Sequence, residues 1–335
     1  MTTAKDARSP ARRTDAAPRF SVPLMHAAAT LYYVQDATQA DVASSLGVSR
    51  ATVSRLLTEA RRLGIVKIEV ADLVESDAQE LGGRLAEALG LHAVYVAPTT
   101  HQALVGPALA PQLASALTDV GLSRGDVLLV SSGRTVWEVA QATLPTFPGV
   151  VVTPSVGGRD EPEAWYQTNE ITRLFAEKVG GRPVFLHAPA LPSPDLHERL
   201  THDPGIRGTL ELWTRAKCAI VGVGARPRTR ESMPSFVPRG ADWLEDAVGD
   251  VCTRFFDEKG TPLAFPGSDR LISAGLDTLR RIPATVAVAV GERKIVSLLA
   301  GARGGWFNIL VTDAATAAAM LAASSDDRLS LEVNT

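Results

Sequence analysis

The sequence predicts an N-terminal winged helix-turn-helix, all-α apart from a small wing, followed by a Rossmann-like, doubly wound α/β domain with a parallel sheet. Two observations carry this reading. Around Gly47-Val48-Ser49 lie two short segments of helical periodicity, Val42, Ala43 and Leu46 before and Val53, Leu56, Leu57 and Ala60 after. From Ala93 onward the chain repeats one rhythm, a Val/Ile/Leu-rich run, a Gly/Ser/Asp turn and a helical stretch, which is how strands covered on both faces read.

At 335 residues the chain has room for about two domains, each with its own core. Composition and patterning divide it into a basic arm (1–21), a winged helix-turn-helix (22–72), a linker helix (73–90), an α/β domain (91–325) and a tail (326–335). Hydrophobic residues make up 45% and charged residues 21%, an ordinary globular balance. No apolar run approaches the roughly 20 residues a membrane span needs, and no cleavable signal opens the chain, so a cytoplasmic protein without membrane contact is expected. Cys218 and Cys252 sit in strand-like runs and read as buried reduced thiols. The scattered His residues have no zinc-site spacing, so neither a metal nor a cofactor is expected.

Residues 1–21 are rich in basic residues and poor in apolar ones, which reads as disorder; such an arm either adds phosphate contacts or dangles in solvent. Pro23 to Gln35 places Leu24, Ala28, Leu31 and Tyr32 on one face, a first helix supporting the pair that follows. In the pair, Gly47 suits a left-handed C-cap, Val48 plugs the corner and Ser49 suits an N-cap. The second helix then exposes Arg50, Thr52, Ser54 and Arg55 near its start, hydroxyls and guanidinium groups that reach base edges when a helix lies in a major groove. Gln39 at the start of the first helix, Ser49 and Arg61 complete the expected surface for double-stranded DNA. From Arg50 to Lys67 the chain carries an excess of four positive charges within a molecule of formal net charge −3, so the basicity is local. An ordinary helical hairpin with a solvated basic face is the alternative. Ile65 to Val70 alternates apolar and polar residues as a half-exposed strand does, which makes a wing with Lys67 toward the phosphate backbone.

Ser76 to Gly90 places Leu81, Leu85 and Leu89 at four-residue spacing, a helix joining the two domains. Strands are expected over Ala93–Ala97, Asp126–Ser131, Val150–Val156, Pro183–Ala188, Lys217–Val223, Thr285–Val290 and Asn308–Val311. Helices are expected over Ala103–Leu117, Thr135–Ala142, Glu161–Val179, Ile206–Thr214, Arg293–Ala302 and Ala314–Ala323.

Open parallel sheets bind ligands at the carboxyl ends of their strands. Four loops there stand out. Ser131-Ser132-Gly133-Arg134-Thr135 combines hydroxyls, a glycine, a guanidinium and a helix start into an anion cradle, or simply turns and caps. Gly157-Gly158-Arg159 either turns the chain or admits a ligand with an arginine beside it. Gly222-Val223-Gly224 is explained by turning alone. Gly291-Glu292-Arg293-Lys294 puts Lys294 in a first helical turn, unfavourable for a cation unless an anion arrives there.

Taken together, TQADVASSLGVSRATVSRLLTEARRLGIVKIEV, Gly133 to Thr135, Asn169-Glu170, GDVCTRFFD from Gly249, Asp269-Arg270 and GERKIVSLLAGARGGWFNILVTD from Gly291 resemble the SorC family of sugar-responsive bacterial regulators. The resemblance spans about Leu24 to Ala323. It implies a winged helix-turn-helix joined to an effector domain similar to sugar-phosphate isomerases and deaminases. A sugar or sugar phosphate would bind at the strand ends of this effector and oligomerisation domain and change affinity for operator DNA, in a homodimer or homotetramer that regulates a carbohydrate-metabolism operon, as a repressor or alternatively as an activator. By position, Ser132, Gly133, Arg134 and Thr135 resemble the first phosphate loop, and Gly157 and Gly158 the second ligand loop. Asn169, Asp250, Asp269, Glu292 and Lys294 would contribute further contacts. The first loop departs from the family's usual GWGRT, which enlarges the space and bears on effector identity. The segment from Gly224 to Gly240, rich in Arg, Pro and Ser, reads as a mobile lid whose arginines complement an anion.

A second class of function stays beside this one: a sugar-phosphate isomerase or deaminase with an accessory DNA-binding segment. It would need a positioned base. None of the four loops offers a histidine, which leaves Asp250, Asp269 or Glu292, and the expectation is a regulator that is not an enzyme.

Overall fold

The structure is a computed structural model and describes residues 20–35, 37–66, 73–98, 105–230, 233–238 and 243–332. It divides into two compact units, 1–71 and 72–335.

The first unit is helical. α1 (Val22–Ala29) runs on into a π-helical turn, Thr30–Val34. Thr38 caps α2 (Gln39–Leu46) reciprocally with Asp41: the Asp41 amide donates to the Thr38 hydroxyl, and the Thr38 amide donates to the Asp41 carboxylate. Gly47 ends α2 in the left-handed region at φ 64°, the role its position in the sequence predicts. Ser49 then caps α3 (Arg50–Arg62) by accepting from the Thr52 amide. Met25, Ala28, Val42, Val53, Leu56, Leu57 and Ala60 form the core, with Val48 packed at the corner. Ile65 and Val66 follow as a bend with amides directed to the Ala60 carbonyl. The rest of the expected wing, with Lys67, lies outside the described residues.

The second unit opens with α4 (Leu73–Leu89), which seats Leu85 in the core and packs against β1 (Ala93–Ala97). This helix is therefore one layer of the α/β unit. After β1 come α5 (Val105–Val120), β2 (Val127–Val130), α6 (Arg134–Ala140), β3 (Val151–Pro154), α7 (Thr168–Val179), β4 (Arg182–Pro183), α8 (Pro194–His202), α9 (Pro204–Thr214) and β5 (Ala216–Gly224). Next are α10 (Trp243–Asp246), β6 (Gly249–Val251), β7 (Arg254–Phe256), β8 (Pro262–Leu263), α11 (Leu276–Arg281), β9 (Ala284–Val288), α12 (Ile295–Arg303), β10 (Ile309–Asp313) and α13 (Ala314–Glu332).

Seven strands pair in parallel in the order β1-β10-β9-β5-β2-β3-β4, and β6 to β8 extend from β5 as an antiparallel flap. Leu109, Leu113, Val139, Ile171 and Phe175 cover one sheet face from α5, α6 and α7. Leu85, Trp213, Leu298, Ala317 and Met320 cover the other from α4, α9, α12 and α13. The fold is thus the doubly wound arrangement expected. From β2 the chain winds outward through β3 and β4, then returns to β5 on the opposite side of β2. That reversal opens a crevice beyond the carboxyl ends of β2 and β5.

Some boundaries differ from expectation. The helix expected from Glu161 begins at Thr168, after a 3-10 turn at Ala164–Tyr166, because Gln167 has non-helical ψ 85°. The strand expected over Pro183–Ala188 pairs only at Arg182 and Pro183. Past Val184 the Asn169 side chain takes over the ladder, donating to the Leu186 carbonyl and accepting from its amide. α13 continues to Glu332, past the expected end of the domain.

Candidate nucleic-acid interface and ligand cavity

α3 buries Val53, Leu56, Leu57 and Ala60 and leaves the opposite face to solvent. On that face Arg50, Ser54, Arg55 and Arg61 are exposed, and no carboxylate pairs with the three arginines among the described residues. Arg62 is bound by Glu59 through two hydrogen bonds of 2.9 and 2.6 Å, so it is less available to phosphate. Thr52 is half-buried, and its hydroxyl meets that of Ser49 at 2.8 Å. Those two residues cap α3 and aim its first turn. Gln39 is half-buried in the first turn of α2.

In the α/β unit a cavity of about 660 Å³ opens at the crevice between β2 and β5. Ser132, Gly133, Arg134 and Thr135 form one wall, as the sequence predicts. Gly133 has φ 134° and ψ 149°, a conformation reserved for glycine, and no side chain caps the turn of α6 that follows. Its amide donates to the Trp165 carbonyl, tying the loop to the 3-10 turn Ala164–Tyr166. The aromatic rings of that turn brace two guanidinium groups: Arg134 lies 5.3 Å from the Trp165 ring centre, and Arg159 4.0 Å from that of Tyr166. Arg159 lines the cavity but is held by Glu161 at 2.9 Å.

The opposite wall comes from Gly222 to Ala225, Arg230, Asp250, Cys252, Thr253, Arg293 and Lys294. Arg230 Nη1 lies 2.7 Å from Asp250 Oδ1, an ion pair whose angles fall outside those of a hydrogen bond. The pair crosses directly over Gly224. A Cβ there would collide with the Asp250 carboxylate and come within 2.6 Å of Arg230 Nη1. Nε and Nη2 of Arg230 are buried without a hydrogen-bond partner among the described residues. Lys294 is reached by solvent only in part, through the cavity it lines. Desolvation pushes its ammonium down from 10.5 to about 8; Asp250 opposes that shift, Arg230 adds to it and Glu138 opposes it.

Six residues expected at the site are placed elsewhere. Ser131 is buried behind the wall, its hydroxyl bonded to the Ser132 carbonyl and the Gly222 amide. Gly157 is glycine for packing, since a Cβ would sit 2.8 Å from the Ala188 carbonyl oxygen and the Ala190 amide. Gly158 donates to the Ala188 carbonyl and bridges to Pro189. Asn169 spends its amide on Leu186. Asp269 and Glu292 are exposed and do not line the cavity. Conversely, Glu163, Trp165, Tyr166 and Thr253 line it without having been expected as site residues, and Arg293 of the fourth loop lines it beside Lys294. Of the expected lid, Thr229 and Arg230 reach the cavity, whereas Arg228 pairs with Glu245 at 2.8 Å. Cys218 and Cys252 are buried free thiols, each pushed up to about 12 by desolvation. No helix among the described residues is long and apolar enough to cross a membrane.

Comparison with known proteins matches both units. Residues 75–322 match the family described as "Putative sugar-binding domain", and residues 30–63 match region 4 of sigma-70. A deoxyribonucleoside regulator of Bacillus subtilis (strain 168) is 33% identical over 305 residues, covering 88% of this chain and 96% of the relative. The sorbitol operon regulator of Klebsiella pneumoniae is 29% identical over 305 residues with the same coverage. The crystal structure of full-length SorC, the K. pneumoniae sorbitol operon regulator, is similar at a TM-score of 0.66 and 28% identity, over 89% of this chain and 98% of that one.

Proposed function

The chain belongs to the SorC family of sugar-binding transcriptional regulators, and from that premise we propose that it represses a carbohydrate-metabolism operon and is released from the operator by a sugar phosphate. α3 reads the operator through Arg50, Ser54 and Arg55, with Arg61 on phosphate and Ser49 and Thr52 aiming the helix. The effector fills the cavity at the β2–β5 crevice. The regulator works as a homodimer or homotetramer, whose symmetry sets the spacing of operator half-sites. A coupling of about 1 to 3 kcal/mol between DNA and effector is enough for switching.

One observation carries the phosphate. Nε and Nη2 are the edge of a guanidinium that grips two oxygens side by side. This chain uses that edge twice elsewhere, for Arg62 on Glu59 and Arg173 on Glu170, with distances of 2.6 to 2.9 Å. In Arg230, whose guanidinium lies 5.6 Å from the Phe255 ring centre, the same two nitrogens have no hydrogen-bond partner among the described residues and are sealed from solvent, so a phosphoryl group would engage them once the side chain turns toward the cavity. Leaving such donors unsatisfied costs about 1 to 3 kcal/mol each, which phosphoryl oxygens would offset. Lys294 supplies a second cation and Ser132 and Thr135 supply hydroxyls on the facing wall.

Thermal-shift titration with glucose 6-phosphate, ribose 5-phosphate, 2-deoxyribose 5-phosphate and the three unphosphorylated sugars tests this. A phosphate should raise the midpoint by mass action, and Arg230→Lys, which cannot grip two oxygens in a plane, should weaken it about tenfold or more. Equal stabilisation by the free sugars would remove the phosphate, and no stabilisation by any of them would remove the effector reading. On the DNA side, Arg55→Ala should weaken operator binding by about 1 to 3 kcal/mol if the arginine reads a base. Unchanged affinity in a titration at fixed salt would take Arg55 off the reading surface.

A further inference from the structure

β6 and β7 pair Val251 with Arg254, so the loop between them is the dipeptide Cys252-Thr253. Both residues have positive φ, 51° and 64°, as a type I′ turn requires, and they are the only non-glycine residues with positive φ among those described. Such turns favour Asn-Gly or Gly-Gly, because a side chain in the left-handed region crowds the backbone, and a β-branched one crowds it most. Stability by itself would select glycine at position 253.

The position has another use. Thr253 is 4% exposed and lines the cavity, at the turn that follows Asp250. Its hydroxyl has no hydrogen-bond partner among the described residues, yet it is not one of the polar atoms sealed from solvent, so the access it keeps is through the cavity. The turn is fixed from behind: the Ser273 hydroxyl donates to the Cys252 carbonyl, and the Cys252 thiol lies 3.2 Å from the Ser155 hydroxyl. Strained residues that the surrounding structure holds in place cluster where a ligand is bound.

We infer that Thr253 is a specificity-determining residue, held in the left-handed region so that its hydroxyl meets a hydroxyl group of the ligand. The inference rests on reading the cavity as a sugar-phosphate site and divides the labour within it: the cationic side chains take the phosphate, and Thr253 distinguishes a polyhydroxylated body from a bare anion.

The test uses the full chain as wild type, Thr253→Gly, Thr253→Val and Thr253→Ser. Each is titrated by thermal shift with inorganic phosphate and with whichever of ribose 5-phosphate, 2-deoxyribose 5-phosphate and glucose 6-phosphate stabilises the wild type most. Without ligand, Thr253→Gly should melt no lower than wild type, because glycine removes the crowding. Thr253→Gly and Thr253→Val should bind the sugar phosphate about three- to tenfold more weakly, the loss expected of one neutral hydrogen bond. Their response to inorganic phosphate should not change, and Thr253→Ser should restore sugar-phosphate binding. Wild-type affinity in both hydroxyl-free variants would overturn the inference while leaving the cavity's role intact, as would a marked fall in the Thr253→Gly midpoint with selectivity unchanged. If no sugar phosphate stabilises the wild type, the reading of the cavity falls and the inference with it.

Discussion

Leu56→Ala should abolish operator binding while leaving the thermal response to sugar phosphate in place. The helix-turn-helix unit has a small core in which Leu56 is fully buried among Met25, Val42, Val53 and Ala60. Truncating a buried leucine typically costs about 2 to 5 kcal/mol. A unit of this size seldom holds more than about 3 to 5 kcal/mol, so the substitution consumes most or all of it. Without that core, α3 has no platform to lie on, and Arg50 and Arg55 lose their fixed orientation. Circular dichroism should show an early loss of helix in the variant, followed by the main transition at the wild-type temperature. Wild-type operator affinity would mean that the unit draws its stability from elsewhere.

The helix-turn-helix was legible because every determinant lies within a few residues of what it determines. Thr38 and Asp41 cap each other across one turn, Gly47 has its own φ, and Ser49 caps the helix it begins. The α/β architecture was legible for a related reason. β2, β3, β5, β9 and β10 are buried on both faces and so read as continuous apolar runs. The flap strands β6 to β8 span two or three residues each, too short for any period to register.

The site was harder, since its residues are recruited across the sequence. Ser132 to Thr135 announced itself through a glycine and hydroxyls after a strand. Gly157 looked the same, but its missing Cβ makes room for the chain at Ala188 to Ala190 rather than for a ligand. Sequence registers that a Cβ is excluded, and is silent on what excludes it. Arg230 showed only as one of several arginines in the expected lid, and Thr253 gave no local signal of its own. The importance of Arg230 lies in two nitrogens without a hydrogen-bond partner among the described residues and in Gly224 beneath its ion pair, and that of Thr253 in its φ. A non-glycine pair in a two-residue hairpin loop would have drawn attention had the short strands on either side been recognised.

Lys294→Met should keep operator binding and lose the response to sugar phosphate, and the pH dependence of the wild type should show why. In the folded protein the Lys294 ammonium loses its proton near pH 8 instead of 10.5. Between those values the unfolded chain holds more protons than the native one, so stability should rise with pH across the window; below pH 8 the cost of burying the charge is present in full. A phosphoryl group beside Lys294 favours the charged form and draws the pKa back up, so above pH 8 binding must take up a proton. Affinity for the sugar phosphate should then fall with pH by up to tenfold per unit, starting near 8. The phosphate is not the source of that slope, because its second ionisation lies near pH 6 and is complete by then. Asp250 and Glu138 favour the ammonium and Arg230 opposes it, so Asp250→Asn should start the decline at a lower pH. In Lys294→Met the slope should vanish along with most of the affinity. Affinity that stays flat to pH 10 in the wild type, or an effector response that survives in Lys294→Met, would place the phosphate away from this lysine and leave Arg230 as its principal anchor.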